Sequence, residues 1–314
     1  MDRPLVISVV APINGVEKFI GKFAESLLSQ SYPHVQYIFV NDGTKDASMD
    51  VLDSIINGKY THLRDRITIV NKENGGLPSA RKAGMQYATG DYVWHVDSDD
   101  WLEAGSLARI AEFAECHGLA DVIYFDFYKE YPDRTRCKTE ADFNGVQKDE
   151  YIRRMYNHKS YGCVWNKCVK RSIYIDNDVF FPCFSYAEDT YLMTQLTGYS
   201  TSIAHLKDCL YHYRKDNPDA ITKQNRKKRH REYAMNFLDL YERYASVASE
   251  DNPVHSISDD MIIQAGWYSI VYNLGFFKQY PYLASAVSRT RLCRNSNVCI
   301  PLQILTKIYA SFIR

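Results

Sequence analysis

The sequence predicts an α/β protein with a mainly parallel central sheet flanked by helices, followed by a mostly helical C-terminal extension. Two observations carry this. Short β-branched apolar runs alternate with segments of helical periodicity through the first half of the chain, which is the pattern of βαβ crossovers. The run Tyr92-Val93-Trp94-His95-Val96 is then cut off by three carboxylates, Asp97, Asp99 and Asp100. A strand buried in a parallel sheet reads as a continuous apolar run, and ligands in open α/β sheets bind beyond the carboxyl ends of such strands.

Leu5 to Val10 is a buried strand by composition, and Pro12 and Gly15 make the turn after it. Val16 to Ser29 places Val16, Phe19, Ile20, Phe23 and Leu27 at helical spacing. Val35 to Val40 is a second strand ending in Asn41-Asp42-Gly43, Asp46 to Ile56 is helical, and Ile67 to Val70 is a third strand. Asn74-Gly75-Gly76 is a turn, and Leu77 to Ala88 is a helix closed by Gly90, with Arg81 and Lys82 in its early turns. The Tyr92–Val96 strand is followed by a helix to about Cys116 and an apolar run from Asp121 to Tyr128. From Asp149 helix and loop are mixed. Beyond Asn217 helix dominates, over Arg226 to Ala248, Asp259 to Phe276 with Ser258 as its cap, and Leu302 to Ile313. In the last of these, Leu305, Ile308, Tyr309 and Phe312 form one apolar stripe, which either docks on the domain or lies on a membrane interface. The expected organisation is one α/β domain over residues 1–216, in halves of about 1–105 and 106–216, and a helical extension over 217–314.

A chain of 314 residues with 46% hydrophobic and 14% aromatic content folds and has ample core. The formal net charge is zero, so no global field points to nucleic acid. The distribution is less even: no acid follows Asp260, while Lys278, Arg289, Arg291, Arg294, Lys307 and Arg314 are basic, and Arg226-Lys227-Lys228-Arg229-His230-Arg231 is a second basic cluster. This suits either an anionic membrane surface or acceptor, or a solvated helix face. The 25 Tyr residues suit half-wet surfaces that stack on sugars, as well as ordinary packing. Eight Cys show no zinc-ligand spacing and, with no signal peptide in the sequence, read as reduced thiols of a cytoplasmic protein. No segment reaches the ~20 apolar residues that span a bilayer.

Three acids at a strand end repel one another unless a cation or a proton sits among them. Hard oxygen ligands suit Mg²⁺ or Mn²⁺, with substrate phosphates completing the shell. The competing reading makes Asp99 or Asp100 the N-cap of a helix from about Leu102 to Cys116. Capping accounts for one Asp and not for three. Asp42 ends the second strand as Asp97 and Asp99 end the fourth, so a parallel sheet brings all three to one crevice. There Asp42 can accept from a nucleobase N–H or a ribose hydroxyl, or form an Asx turn before Gly43. The first strand runs into Ala11-Pro12-Ile13-Asn14-Gly15, neither a Gly-x-Gly-x-x-Gly run nor a Walker loop. A diphosphate in this crevice is therefore neutralised by other means, such as a divalent ion on Asp99 assisted by Arg81.

In combination these motifs resemble glycosyltransferase family 2, the inverting sugar transferases of GT-A fold, a Rossmann-like α/β arrangement. The matching stretches are Ile7-Ser8-Val9-Val10-Ala11-Pro12, Val16-Glu17-Lys18-Phe19-Ile20 and Ser26-Leu27-Leu28-Ser29-Gln30-Ser31-Tyr32. They continue with Val40-Asn41-Asp42-Gly43-Thr44-Lys45-Asp46, Glu73-Asn74-Gly75-Gly76-Leu77-Pro78-Ser79-Ala80-Arg81 and the DxD-type run Val96-Asp97-Ser98-Asp99-Asp100. Weaker matches lie at Trp165-Asn166-Lys167, Ala187-Glu188-Asp189 and Tyr211-His212-Tyr213-Arg214. Departures from the family pattern are Asn14-Gly15 in the first loop, Asn41, Thr44-Lys45, Pro78 and Lys82.

The resemblance implies roles at the matching positions. Asp42 would contact the uracil or its ribose, with Pro12 beside it. Asp97 and Ser98 would lie at the ribose and metal region, Asp99 would ligate Mn²⁺ or Mg²⁺, and Arg81 would lie near the nucleotide. Asp189 would be the general base, with Glu188 the alternative, since two acids at a helix start also complement its dipole. Trp165 and Lys167 would shape the acceptor or donor side of the pocket, and His212 and Arg214 would meet the diphosphate. The implied reaction moves a hexose or N-acetylhexosamine from a UDP-sugar to a hydroxyl of a saccharide or lipid-linked acceptor, in surface polysaccharide synthesis at the inner face of a membrane. The rivals are a sugar nucleotidyltransferase, which wants a Gly-rich, Arg-bearing loop after the first strand, and a non-catalytic nucleotide-sugar or glycan-binding module. Whether the protein forms a homo-oligomer is left open by the sequence.

Overall fold

The computed structural model describes residues 3–140, 148–156, 159–223, 225–246 and 300–313, and the single positions 266, 284 and 287. The chain divides into two compact units. The first takes Met1–Asn144, Cys163–Phe181 and Ser200–Pro218, and the second takes Gly145–Gly162, Pro182–Tyr199 and Asp219–Arg314. Of the predicted helix over 259–276, Gly266 alone is among the described residues.

The first unit is a nine-stranded sheet with its helices. Its strands are β1 (Ile7–Ile13), β2 (Val35–Asp42), β3 (Ile67–Lys72), β4 (Tyr92–His95), β5 (Trp101–Leu102), β6 (Val122–Tyr131), β7 (Arg134–Lys138), β8 (Lys167–Lys170) and β9 (Ile203–Arg214). Their order is β3-β2-β1-β4-β8-β6-β9-β5, with β7 on β6. The half β3-β2-β1-β4 is wholly parallel, as the alternation of apolar runs and helical segments requires. Beyond it β8 runs antiparallel to both β4 and β6, β6 and β9 are parallel, and β5 is antiparallel to β9. β1 is buried along its whole length, the expected state of a central strand covered on both faces.

β1 runs on past the expected turn and includes Pro12. Val10 pairs with His95, the last residue of β4, so at Pro12 the β4 side of β1 has no ladder left to serve and a missing N–H costs nothing there. The carbonyl of Pro12 on that side accepts from the hydroxyl of Ser98 at 2.6 Å.

Helices α1 (Glu17–Leu28), α2 (Ser48–Lys59), α3 (Leu77–Met85) and α4 (Ser106–Cys116) follow β1, β2, β3 and β5. α1 buries Ile20, Phe23, Ala24, Leu27 and Leu28 on one stripe, and Phe23 meets Phe39 of β2 edge to face. α3 lies close on β1 and β2 because position 84 is glycine: a Cβ there would collide with Cγ1 of Val10 and stand 3.1 Å from Cγ2 of Val40. The predicted helix start near Leu102 is corrected: Trp101 and Leu102 form β5, and α4 opens at Ser106 after Gly105, whose φ is +75°. Neither Asp99 nor Asp100 caps it. A further correction concerns the thiols. Cys137 of β7 and Cys209 of β9, 72 apart in sequence, are joined as a disulfide with Cα atoms 6.8 Å apart, brought together because both strands flank β6.

In the second unit, α5 (Lys148–Tyr156), α7 (Glu188–Tyr199), α8 (Arg226–Ser246) and a helix over Ile300–Ile313 are described, while the short α6 (Arg171–Asp176) belongs to the first unit. α7 is buried on nearly every side, from Tyr191 through Gly198. Its Tyr191 hydroxyl donates to Asp239 of α8 at 2.5 Å, and Asn236 of α8 donates to the carbonyls of Phe184 and Tyr186 at 2.9 and 3.0 Å. In the last helix Gln303, Thr306 and Ala310 are buried, whereas Ile304 and Ile308 are exposed, one turn apart. Of the expected stripe, Ile308 therefore faces solvent; the side chains of Leu305, Tyr309 and Phe312 lie outside the described residues. No described helix is long and apolar enough to cross a membrane.

Candidate active site

Because β1 to β4 are parallel, their carboxyl ends leave one edge of the sheet, and Asp42 and the acidic loop Asp97–Asp100 stand on that edge. They are held there by separate sets of bonds. The Asp42 carboxylate, almost fully buried, accepts from the Lys72 ammonium at 2.5 Å and from the backbone N–H groups of Gly75 and Gly76, each at 2.9 Å. Asp42 and Lys72 are register partners on β2 and β3, so the ion pair is set by the ladder itself. Gly76 has φ of +83°, a left-handed region that a side chain disfavours, and this lets the turn aim both amides at one carboxylate before α3 begins. Asn14 donates from its amide to the Asp42 carbonyl at 2.8 Å, tying the loop after β1 to the same point.

The acidic loop is held from three directions. From α3, the fully buried guanidinium of Arg81 reaches Asp97 Oδ1 at 2.7 Å. From β1, Pro12 receives Ser98, itself buried. From β9, the Tyr211 hydroxyl accepts the Asp97 N–H at 3.0 Å, the Arg214 N–H donates to Asp100 Oδ1 at 2.6 Å, and Arg214 Nε donates to the Asp99 carbonyl at 2.7 Å. Just past β9, Asn217 donates to Asp99 Oδ2 at 2.6 Å. The predicted residues Pro12, Arg81, Asp97, Ser98, Asp99 and Arg214 thus share one bonded cluster, and Asp42 stands two strands away on the same edge.

The electrostatics follow from burial. Desolvation, with Asp99 and Asp97 adding like charge, pushes the Asp100 carboxyl well above its usual range. Asp99 is also raised, by burial first, against the opposing donation from Asn217. Burial, and then the neighbouring Asp100 and Asp97, raise the Tyr211 phenol, so it stays protonated as the partner of the loop. Burial, then the nearby Arg81, lowers the His95 imidazole well below its usual value.

Among the described residues, no group of three or more His, Cys, Asp or Glu is gathered as a metal cage. Mg²⁺ and Mn²⁺ need none where one or two carboxylates share the ion with substrate phosphates. Asp97 and Asp99 supply two carboxylates on one short loop, oxygen donors of the kind these ions take. The donor set fits an ion completed by a diphosphate.

The weaker candidates are deeper than expected. Trp165 is buried, stacked on Tyr211 at 4.9 Å and Tyr213 at 5.0 Å, with its carbonyl accepting from Trp94 Nε1 at 2.7 Å. Lys167 is buried with its ammonium on the carbonyl of Cys163 at 2.8 Å and on Asn166 Oδ1 at 2.7 Å. Asn166 in turn donates to Glu140 at 3.0 Å, and Asp126 accepts from the Glu140 N–H at 2.8 Å and meets His205 Nε2 at 2.9 Å. Glu188 and Asp189 open α7 in the second unit, Glu188 buried and Asp189 half-buried. His212 lies within β9 and is bonded to Glu103 and Glu130. Tyr211, Asn217, Lys72 and the amides of Gly75 and Gly76 were not predicted. Only Lys72 had a readable signal, as a cation ending the strand beside the one that Asp42 ends.

A parallel half-sheet with acids gathered at its carboxyl edge, and no Gly-rich phosphate loop, fits the GT-A fold expected from the sequence. Residues 8–177, more than half of the chain, match the model of Glycosyl transferase family 2, and the chain belongs to that family. EpsH of Bacillus subtilis (strain 168), named as a glycosyltransferase, is 28% identical over 268 residues, covering 83% of this chain and 74% of EpsH. EpsJ of the same organism, also named as a glycosyltransferase, is 30% identical over 223 residues, 69% of this chain and 63% of EpsJ. In fold, the crystal structure of S. aureus TarS 1-349 in complex with UDP-GlcNAc aligns with a TM-score of 0.68 at 18% identity, over 98% of this chain and 88% of that one.

Proposed function

We propose that the protein is an inverting, metal-dependent glycosyltransferase that moves a hexose or N-acetylhexosamine from a UDP-sugar to a hydroxyl of a saccharide or lipid-linked acceptor in surface polysaccharide synthesis. The observation that carries this is the gathering of Asp97, Ser98 and Asp99 with Arg81 at the carboxyl edge that also holds Asp42. The UDP-GlcNAc bound by TarS supports the donor class. Asp99, with Asp97, would hold Mn²⁺ or Mg²⁺, and such an ion supplies charge neutralisation for a departing diphosphate.

The remaining roles belong to the chain's own side chains. Arg81 fixes Asp97 and adds positive charge at the nucleotide end of the crevice, and Asp42 orders the turn against which a base and ribose pack. Inverting transfer is a single displacement, so one carboxylate must take the acceptor's proton on the face opposite the leaving group. We assign that role to Asp189. A base must reach its substrate, and Asp189 is half-buried where Glu188 is buried. The basic, acid-free stretch after Asp260 and the exposed Ile304 and Ile308 support peripheral contact with an anionic membrane surface, the setting of a lipid-linked acceptor.

The test is release of nucleoside diphosphate across a panel of UDP-, GDP- and dTDP-sugars, with Mn²⁺ or with chelator. UDP release that requires the metal and falls by about 10²–10⁴-fold in Asp189→Asn supports the reading. Binding without any turnover points to a non-catalytic module, and turnover unaffected by chelation removes the metal from the scheme.

A further inference from the structure

His212 is enclosed on four sides. Its ring lies between two cross-strand neighbours at the same register, Tyr128 of β6 and Trp101 of β5, because β9 runs between those strands. Both stack on it, Trp101 at 4.9 Å and 13° and Tyr128 at 4.7 Å and 25°. Along the strand, Nδ1 meets Glu130 Oε1 at 2.7 Å and Nε2 meets Glu103 Oε2 at 2.9 Å. Each ring nitrogen thus lies within hydrogen-bond distance of a carboxylate. The ring side chain is only 15% exposed. Lys22 of α1 and Arg214 also lie over the Trp101 ring, at 3.0 and 5.0 Å, which binds the stack to the first helix.

Two residues further along β9, Arg214 holds Asp100 through its N–H and Asp99 through Nε, and one residue earlier Tyr211 holds the Asp97 N–H. The acidic loop thus copies the position of β9 between residues 211 and 214. The pairing of β9 to β6 shifts register between Leu206 and Tyr211 and runs regularly from Tyr211 to Arg214. Tyr211 to Arg214 is thus the first regular stretch after the shift, and the cage around His212 adds side-chain contacts on both ring faces to its ladder.

We propose that His212 is a positioning residue for the acidic loop: caged by Tyr128, Trp101, Glu130 and Glu103, it sets the end of β9 and, through Tyr211 and Arg214, the placement of Asp97, Asp99 and Asp100. This rests on the reading of that loop as the seat of a metal–diphosphate pair. It replaces the expectation that His212 itself meets the diphosphate, because both of its nitrogens and both of its faces are already engaged.

The test uses two His212 variants of the full chain, with Glu103→Gln as a third. His212→Phe keeps the stack and removes both hydrogen bonds, and His212→Gln keeps hydrogen-bonding capacity and removes the stack. Native-state hydrogen exchange of the ligand-free protein reads the Asp97 and Arg214 amides, and Mn²⁺ electron paramagnetic resonance with UDP reads the affinity of the loop. In His212→Phe, exchange at these two amides rises about tenfold or more while β1 amides keep their protection. Mn²⁺–UDP affinity falls about tenfold, on the scale of a lost charged hydrogen bond, and Glu103→Gln falls between it and wild type. His212→Gln shows the same pattern more weakly. Unchanged exchange at Asp97 and Arg214 in both variants overturns the proposal, as does acceleration spread equally over β1, which marks general destabilisation. A wild-type protein that binds no Mn²⁺–UDP removes the proposed function, and the exchange measurement still decides the positioning role.

Discussion

The hydroxyl of Ser98 donates to the main-chain carbonyl of Pro12 at 2.6 Å, joining the end of the first strand to the middle of the acidic loop across 86 positions of sequence. The bond is buried and takes the place of a ladder bond that β4 no longer reaches. Ser98→Ala leaves that carbonyl without its donor, and the cost is about 1–3 kcal/mol. A urea titration should show this as a lower midpoint at unchanged slope, with donor KM raised because the loop loses one of its three anchors.

Asp42 and Lys72 should respond unequally. Removing the buried carboxylate in Asp42→Ala leaves two backbone N–H groups without their acceptor and the Lys72 ammonium with the Glu73 carbonyl, a loss of roughly 3 kcal/mol. Lys72→Met leaves Asp42 still accepting from Gly75 and Gly76, and Lys72 is 22% exposed, so the loss is about 1 kcal/mol. Equal losses in denaturant unfolding would mean that the amides contribute nothing.

Gly84→Ala drives a methyl into Val10, which lifts α3 and with it Arg81 from Asp97. Overpacking of this kind costs about 1–3 kcal/mol. Val10→Ala made in the same chain should recover part of the loss, and the double-mutant cycle reads the coupling directly. Additive losses would place the strain elsewhere.

Asp46 predicts the acid limb of the stability curve. Burial works to raise its pKa, but donations from Ser48 Oγ, the Glu17 N–H, Thr44 Oγ1 and the Ser48 N–H outweigh it and hold the value at about 2. A carboxyl depressed on folding stabilises the native state above its unfolded pKa of about 3.9, and that stability is lost as pH falls toward the folded value. Discounted for its partial exposure, the contribution is about 1–2 kcal/mol. Asp46→Asn should therefore be less stable at pH 7 by about that amount and lose less stability than wild type between roughly pH 4 and 2. Parallel curves over that window would refute the assignment.

The parallel half of the sheet was legible because Leu5–Val10, Val35–Val40, Ile67–Val70 and Tyr92–Val96 are apolar runs bounded by turn residues, and parallel pairing then forces Asp42 and Asp97 to a common edge. The role of β9 was not. Tyr211, Arg214 and Asn217 lie 114 to 118 positions from the acids they hold, and nothing in local spacing records such a contact. The sequence suggests a helix starting near Leu102 because a two-residue strand carries no period, and Trp101-Leu102 is a strand through its pairing with β9. The disulfide between Cys137 and Cys209 was missed for a similar reason, since its two strands meet only through β6.

β8 occupies the slot between β4 and β6, yet it comes from residues 167–170, long after β4 has left the ribosome. Until that segment arrives, Tyr92, Val93 and Trp94 present an open row of amides and carbonyls, a template for another copy of the nascent chain. A fragment stopping before residue 163 should contain every strand of the nucleotide half and still come out of solution as aggregate.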